Sequence, residues 1–349
     1  MQLFACQQCG QLLYFENTRC ERCGAALGFL AENLTLSALE EAGGGLRPVG
    51  RDGTYRFCAN EEFQVCNWLV PDASEDLFCA ACRHNRTVPD LTLAENRERW
   101  RRLEIAKHRL IYSLIALGLA HPTRAENPTE GLVFDFLSPE GADPNEGENI
   151  VTGHDHGLIT LNALEADDAQ RERIRTEMGE PYRTLLGHFR HESGHWYWNL
   201  LVRDSGRLED YRARFGDERE DYGEALARHY EEGPPADWQN NFVSAYASAH
   251  PWEDFAETWA HYLHIVDALE AAADFGVRVA APEGEARAVE PEAASGIEEL
   301  IEAWLPLTFA VNSLNRSMGL PDLYPFVLSP AAIEKLGFVH DLVHGARAA

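Results

Sequence analysis

The sequence predicts an α+β protein that is mostly helical, with a small strand region, preceded by small cysteine-rich modules. Three observations carry this expectation. All eight cysteines fall between Cys6 and Cys82. Long segments of helical character dominate after residue 93, and short strand-like runs occur only near 131–137 and 149–162. A length of 349 residues suggests about two domains. The expected division is 1–92, a zinc-ribbon region, and 93–349, a helical domain interrupted by a flexible acidic loop at about 274–296.

Cys6-x2-Cys9-x10-Cys20-x2-Cys23 forms two CxxC knuckles, each aiming two thiolates at one ion. Together they complete a closed, structural four-cysteine zinc site. Gly10 and Gly24 follow the second cysteine of each knuckle, where the chain often needs backbone freedom. Residues 30–55, with Gly43-Gly44-Gly45 and Pro48, read as a connector. Cys58, Cys66, Cys79 and Cys82 then form a second expected zinc site, with a wider first pair. Buried unliganded thiols are the alternative there. Without an export signal at Met1–Cys6, clustered cysteines read as metal ligands rather than disulfides, and the cytoplasm is the expected compartment.

The segment 96–120 reads as one helix, charged in its first half and apolar in its second. Residues 131–137 read as a strand. The stretch 149–162 offers two short strands around Gly153-His154-Asp155-His156-Gly157, whose histidines are expected to face solvent rather than a metal. Leu158 to Asn162 is a possible edge strand for an extended peptide. Residues 167–178 read as an amphipathic helix, and a buried helix over roughly 181–203 begins near Pro181. Charged residues 204–236 look like an excursion at a cleft rim. Helices follow from Pro251, over 298–318 and over 331–343.

The buried helix carries His191-Glu192-Ser193-Gly194-His195. Two histidines four apart stand one above the other on a helix and can grip one zinc ion. The glutamate between them can act as general base on a water that zinc activates. Catalytic zinc usually takes three protein ligands. The extended HExxHxxGxxH pattern is excluded, because Trp198 and Leu201 stand at its later positions. Glu253 and Glu257, one turn apart on a downstream helix, are the candidates for the third ligand, with His261 behind them.

HExxH together with Tyr246-x6-Glu253-x3-Glu257 resembles the gluzincin peptidases. The pattern is closest to that of the anthrax lethal factor catalytic domain. The full arrangement, with its N-terminal ribbon cysteines, resembles a bacterial family of zinc-binding metallopeptidases. The resemblance implies a zincin-like metallopeptidase domain that hydrolyses peptide bonds. It implies Glu253 as third zinc ligand beside His191 and His195, and Tyr246 facing the reaction centre with Glu192. Glu257 is then expected to orient a ligand from outside the metal's shell. One catalytic and two structural zinc ions are expected.

The formal charge is 30 − 57 = −27, which argues against a nucleic-acid partner. The longest apolar run, 110–120, is too short to span a bilayer. A peptide or protein substrate is the expected partner. The competing reading is a zinc-ribbon scaffold protein with a weakly active or inactive peptidase-like domain.

Overall fold

The computed structural model describes residues 2–139, 150, 152–178, 180–279, 291 and 294–347. The chain forms two compact units, Met1–Arg171 and Glu172–Ala349. It is a mixed α+β protein. The acidic loop expected at about 274–296 lies largely outside the described residues.

In the N-terminal unit, β1 (Phe4–Ala5) and β2 (Leu12–Leu13) pair across the first cysteine knuckle. Gly10, with φ 73°, closes that knuckle in a conformation suited to glycine. Five further strands form an antiparallel sheet in sequence order: β3 (Leu27–Leu30), β4 (Thr35–Ala42), β5 (Gly45–Pro48), β6 (Tyr55–Phe57) and β7 (Leu69–Pro71). The expected connector at 30–55 is therefore mostly sheet. Its glycines are the signature of a hairpin, since Ala42 faces Gly45 and the two-residue turn Gly43-Gly44 has φ of 61° and 98°.

Strand β8 (Asn85–Thr87) precedes helix α1 (Ala94–Ala116). Strands β9 (Val133–Leu137), β10 (Gly153–Asp155) and β11 (Leu158–Asn162) complete a four-stranded sheet of order β10-β11-β9-β8. Strand β11 is paired on both sides, with β10 and with β9, so it offers no edge to a peptide. His156 and Gly157 form the two-residue turn, with φ of 44° and 82°. Helix α1 joins this unit through Tyr112, whose ring lies 5.5 Å from Phe15 and 6.1 Å from Phe29. Trp68 packs there as well, 4.6 Å from Phe29. Helix α2 (Asp168–Glu177) follows, with no fully buried residue.

The C-terminal unit is helical: α3 (Leu185–Trp198), α4 (Leu208–Phe215), α5 (Tyr222–Glu232), α6 (Pro251–Asp274), α7 (Ile297–Ser317) and α8 (Pro330–Arg347). Helix α3 starts later than Pro181 suggests, because Thr184 caps it by accepting from the Gly187 N–H at 3.0 Å. It passes into a wider, π-type turn at Asn199–Arg203. Helix α6 starts at Pro251 as expected, with the His250 ring accepting from the Trp252 N–H at 3.0 Å.

Helices α3 and α6 form the centre of this unit. Tyr197 stacks on Trp259 at 4.6 Å, and the Trp259 indole N–H donates to Ser193 Oγ at 3.2 Å. Phe255, buried on α6, meets Tyr211 and Phe215 of α4. Helix α8 closes the other side of α6, where Lys335 Nζ lies 2.6 Å from Asp254 Oδ2. The close approach of the two central helices depends on Gly194. A methyl group there would stand 2.9 Å from the Ala256 Cα and 3.1 Å from the Trp259 Cβ.

Gly194→Ala forces α3 from α6 and is expected to destabilise the protein by about 1–3 kcal/mol, as overpacked cores do. Thermal melting measures this; an unchanged melting temperature would show that the crossing has slack.

Candidate metal centre

The first two turns of α6 carry three acidic residues, Glu253 and Asp254 buried and Glu257 partly so. Burying a carboxylate is costly unless a partner offsets it. Asp254 has Lys335, yet burial still pushes it up to about 7. The other two face α3.

Glu253 Oε2 lies 3.0 Å from His191 Nε2 and 3.5 Å from His195 Nε2, and the two nitrogens are 3.2 Å apart. Three ligand atoms of a tetrahedral zinc ion with bonds of about 2.0–2.1 Å stand about 3.3 Å from one another. The triangle matches that spacing. Its carboxylate corner is buried and has no hydrogen bond of ordinary geometry to either histidine. Burial by itself would raise Glu253 and lower His191. Instead the imidazoles hold Glu253 well below its usual range, and Glu253 with Glu257 holds His191 well above its own. The potential that favours an imidazolium at this point also favours a divalent cation. The residues fit zinc.

Glu257 is outside the triangle. Its Oε1 accepts from His191 Nδ1 at 2.7 Å, and its Oε2 accepts from the Ser244 hydroxyl at 2.6 Å. Although burial opposes it, the His191 contact lowers the Glu257 carboxyl to about 2. This carboxylate–histidine pair turns His191 Nε2 toward the triangle, an arrangement typical of metal-bound histidine. His261, the last of the alternative ligands, is held elsewhere, with Nδ1 2.6 Å from the Tyr324 hydroxyl. Trp252 covers His195, its ring centroid 3.9 Å away. Glu192 is 8% exposed on α3 beside His191.

Tyr246 lies on a short 3-10 turn before α6, its ring 6.0 Å from that of His191. Burial, then the charge of Glu253, pushes its phenol well above the ordinary range. It stays protonated, and a hydrogen-bond donor, at neutral pH. Sequence reasoning missed two partners: Ser244, and Tyr222, whose hydroxyl donates to Glu253 Oε1 at 2.7 Å. Both come from segments without periodicity relative to α6, so no spacing rule points to them.

The N-terminal unit holds two four-cysteine clusters. Cys6 and Cys23 sulfurs are 3.6 Å apart, as are those of Cys9 and Cys20. In the second cluster Cys66 and Cys79 are 3.7 Å apart, grouped with Cys58 and Cys82. Four sulfurs around zinc at about 2.3 Å stand about 3.8 Å from one another. The knuckle N–H of Cys23 lowers the Cys20 thiol to about 6. Burial pushes Cys66 and Cys82 well up, so four thiolates in that dry pocket require a cation. Helix α1 adds His108, with Nε2 3.3 Å from Cys66 Sγ and 3.6 Å from Cys82 Sγ. Among the described residues His154 and His156 belong to no such group; His156 pairs with the exposed Asp155 at 2.6 Å.

A family model described as "Putative zinc-binding metallo-peptidase" matches residues 96–342, and one described as a zinc-ribbon domain matches residues 3–93. Relatives from Mycobacterium bovis and from two strains of Mycobacterium tuberculosis are each 44% identical over 344 residues. The alignment covers 98% of this chain and 95% of theirs, and each bears the name uncharacterized protein. No solved structure matches the chain.

Glu257→Gln removes the carboxylate from His191 and should weaken zinc retention at the α3–α6 triangle about 10–100-fold. Competition with a chromogenic chelator measures it; parent-like retention would show that His191 needs no such support.

Proposed function

This chain belongs to that metallo-peptidase family, and on this premise we propose that it is a zinc-dependent peptidase of the gluzincin type. The observation that carries the reading is the triangle of His191 Nε2, His195 Nε2 and Glu253 Oε2, with Glu192 on the same helix. His191, His195 and Glu253 would hold the ion. When bound, zinc supplies Lewis acidity that makes a water acidic and polarises a peptide carbonyl.

The chain's own residues do the rest. Glu192 takes one proton from the attacking water while the water oxygen bonds to the carbonyl carbon. Tyr246 donates its hydroxyl hydrogen bond to the oxygen that becomes negative. Glu192 then passes its proton to the amine as the carbon–nitrogen bond breaks, so the carboxylate is regenerated. Glu257 and Ser244 keep His191 in one tautomer, with its Nδ1–H donated and its Nε2 lone pair free to ligate.

The cysteine clusters Cys6, Cys9, Cys20, Cys23 and Cys58, Cys66, Cys79, Cys82 would each hold a structural zinc ion. Their sulfur spacing and the zinc-ribbon match support this. The total is then one catalytic and two structural ions. The substrate is a peptide or protein. Among the described residues no helix is long and apolar enough to cross a membrane.

Glu192→Gln should retain three zinc ions per chain and lose about 10²–10⁴-fold in cleavage of a profluorescent peptide library. A variant that cleaves as fast as the parent contradicts the mechanism. A parent protein without chelator-sensitive cleavage favours the scaffold reading.

A further inference from the structure

The two oxygens of Glu253 are treated differently. Oε1 accepts the Tyr222 hydroxyl hydrogen at 2.7 Å. Oε2 points at the two histidine nitrogens, 3.0 Å and 3.5 Å away. A carboxylate beside a cation has two equivalent oxygens and can turn to bind through both. A phenol donating to one of them removes that equivalence, because it occupies a lone pair, draws off charge and fixes the carboxylate torsion.

We propose that Tyr222 is a positioning residue that holds Glu253 as a one-oxygen zinc ligand, keeping a coordination position open for water and substrate. This rests on the reading of His191, His195 and Glu253 as the zinc ligands. An open position is what separates a catalytic zinc site from a closed structural one.

The surroundings of Tyr222 are built for that contact. It is the first residue of α5, whose start is capped by Asp221 accepting from the Glu224 N–H at 2.8 Å. Six residues earlier, Gly216 takes φ 102° against Pro251, where a methyl group would meet the proline ring at 3.2 Å. The chain entering α5 is thereby set on the first turn of α6, the turn that presents Glu253. The Tyr222 ring then rests 5.3 Å from the His250 ring and 5.9 Å from that of Trp252. Besides Ala225, α5 buries no residue fully, so hydrophobic packing does little to fix the phenol at this place.

The test uses the full chain with both ribbon sites filled. The catalytic ion is removed with a mild chelator and replaced by cobalt(II) or zinc, and the cobalt-minus-zinc visible spectrum is recorded. Tyr222→Phe is expected to lower the cobalt d–d absorbance, as a ligand that binds through both oxygens raises the coordination number. Zinc affinity at this site should fall about 10–100-fold. Tyr222→His, which keeps an N–H donor, should move both readouts back toward the parent. A phenol with a merely structural role would shift the melting temperature and leave both untouched. Tyr222→Phe protein with the parent's cobalt spectrum and zinc affinity overturns the proposal. So does Tyr222→His protein no closer to the parent than Tyr222→Phe. These readouts belong to the metal, so a failure of peptide cleavage would sink the peptidase reading without touching this one.

Discussion

The crossing of α3 and α6 is the constraint on which the C-terminal unit depends. Nitrogens on one helix and a carboxylate oxygen on the other must meet within a triangle of about 3 Å sides. Side chains as short as glutamate reach that far only if the helix backbones are close. Gly194 provides the approach, since Ala256 and Trp259 occupy the space its side chain would take. The histidines flank this point at 191 and 195, so this close approach lies beside the candidate metal site. The Trp259–Ser193 hydrogen bond and the Tyr197–Trp259 stack fix the crossing laterally. The motif is thus a packing motif as well as a candidate ligand motif.

The electrostatics follow from the same crossing. Three acidic residues within two turns of α6 would expel each other toward water unless each were offset. Asp254 meets Lys335 of α8, and Glu257 meets His191 and Ser244. Glu253 has Tyr222 on one oxygen and only the facing histidine nitrogens on the other. On the proposed reading a divalent ion would complete this set, and metal binding would then be linked to the stability of the crossing. The second cysteine cluster obeys the same rule in sulfur, with four buried thiols gathered where only a cation permits them all to ionise.

Local periodicity carried the parts of this structure that sequence made legible. The i, i+4 histidines, the Pro251 helix start, the CxxC knuckles and the helices near 96, 297 and 331 depend on neighbours in the chain. Glu253 and Glu257 shared a face by the same rule, but spacing alone left open which of them faces Nε2. That choice is tertiary. Tyr222 arrives at the start of α5 and Ser244 on a bend before α6, and no residue pattern encodes their direction. The glycine triplet at 43–45 misled because one cue marks both connectors and hairpin turns; the residues around it pair as β4 and β5. Strand β11 looked like an edge because its second partner, β9, pairs with it in parallel from some 25 residues earlier in the chain, a contact that local pattern does not encode.

The central claim is that His191 Nε2, His195 Nε2 and Glu253 Oε2 converge on one zinc ion. Anomalous scattering at the zinc absorption edge, from crystals of the full chain, tests it most directly. The account predicts a peak at about 2.0–2.2 Å from all three atoms, apart from those in the cysteine clusters. A peak bonded to Glu257 or His261 in place of Glu253, or no peak between α3 and α6 in zinc-replete protein, would contradict it.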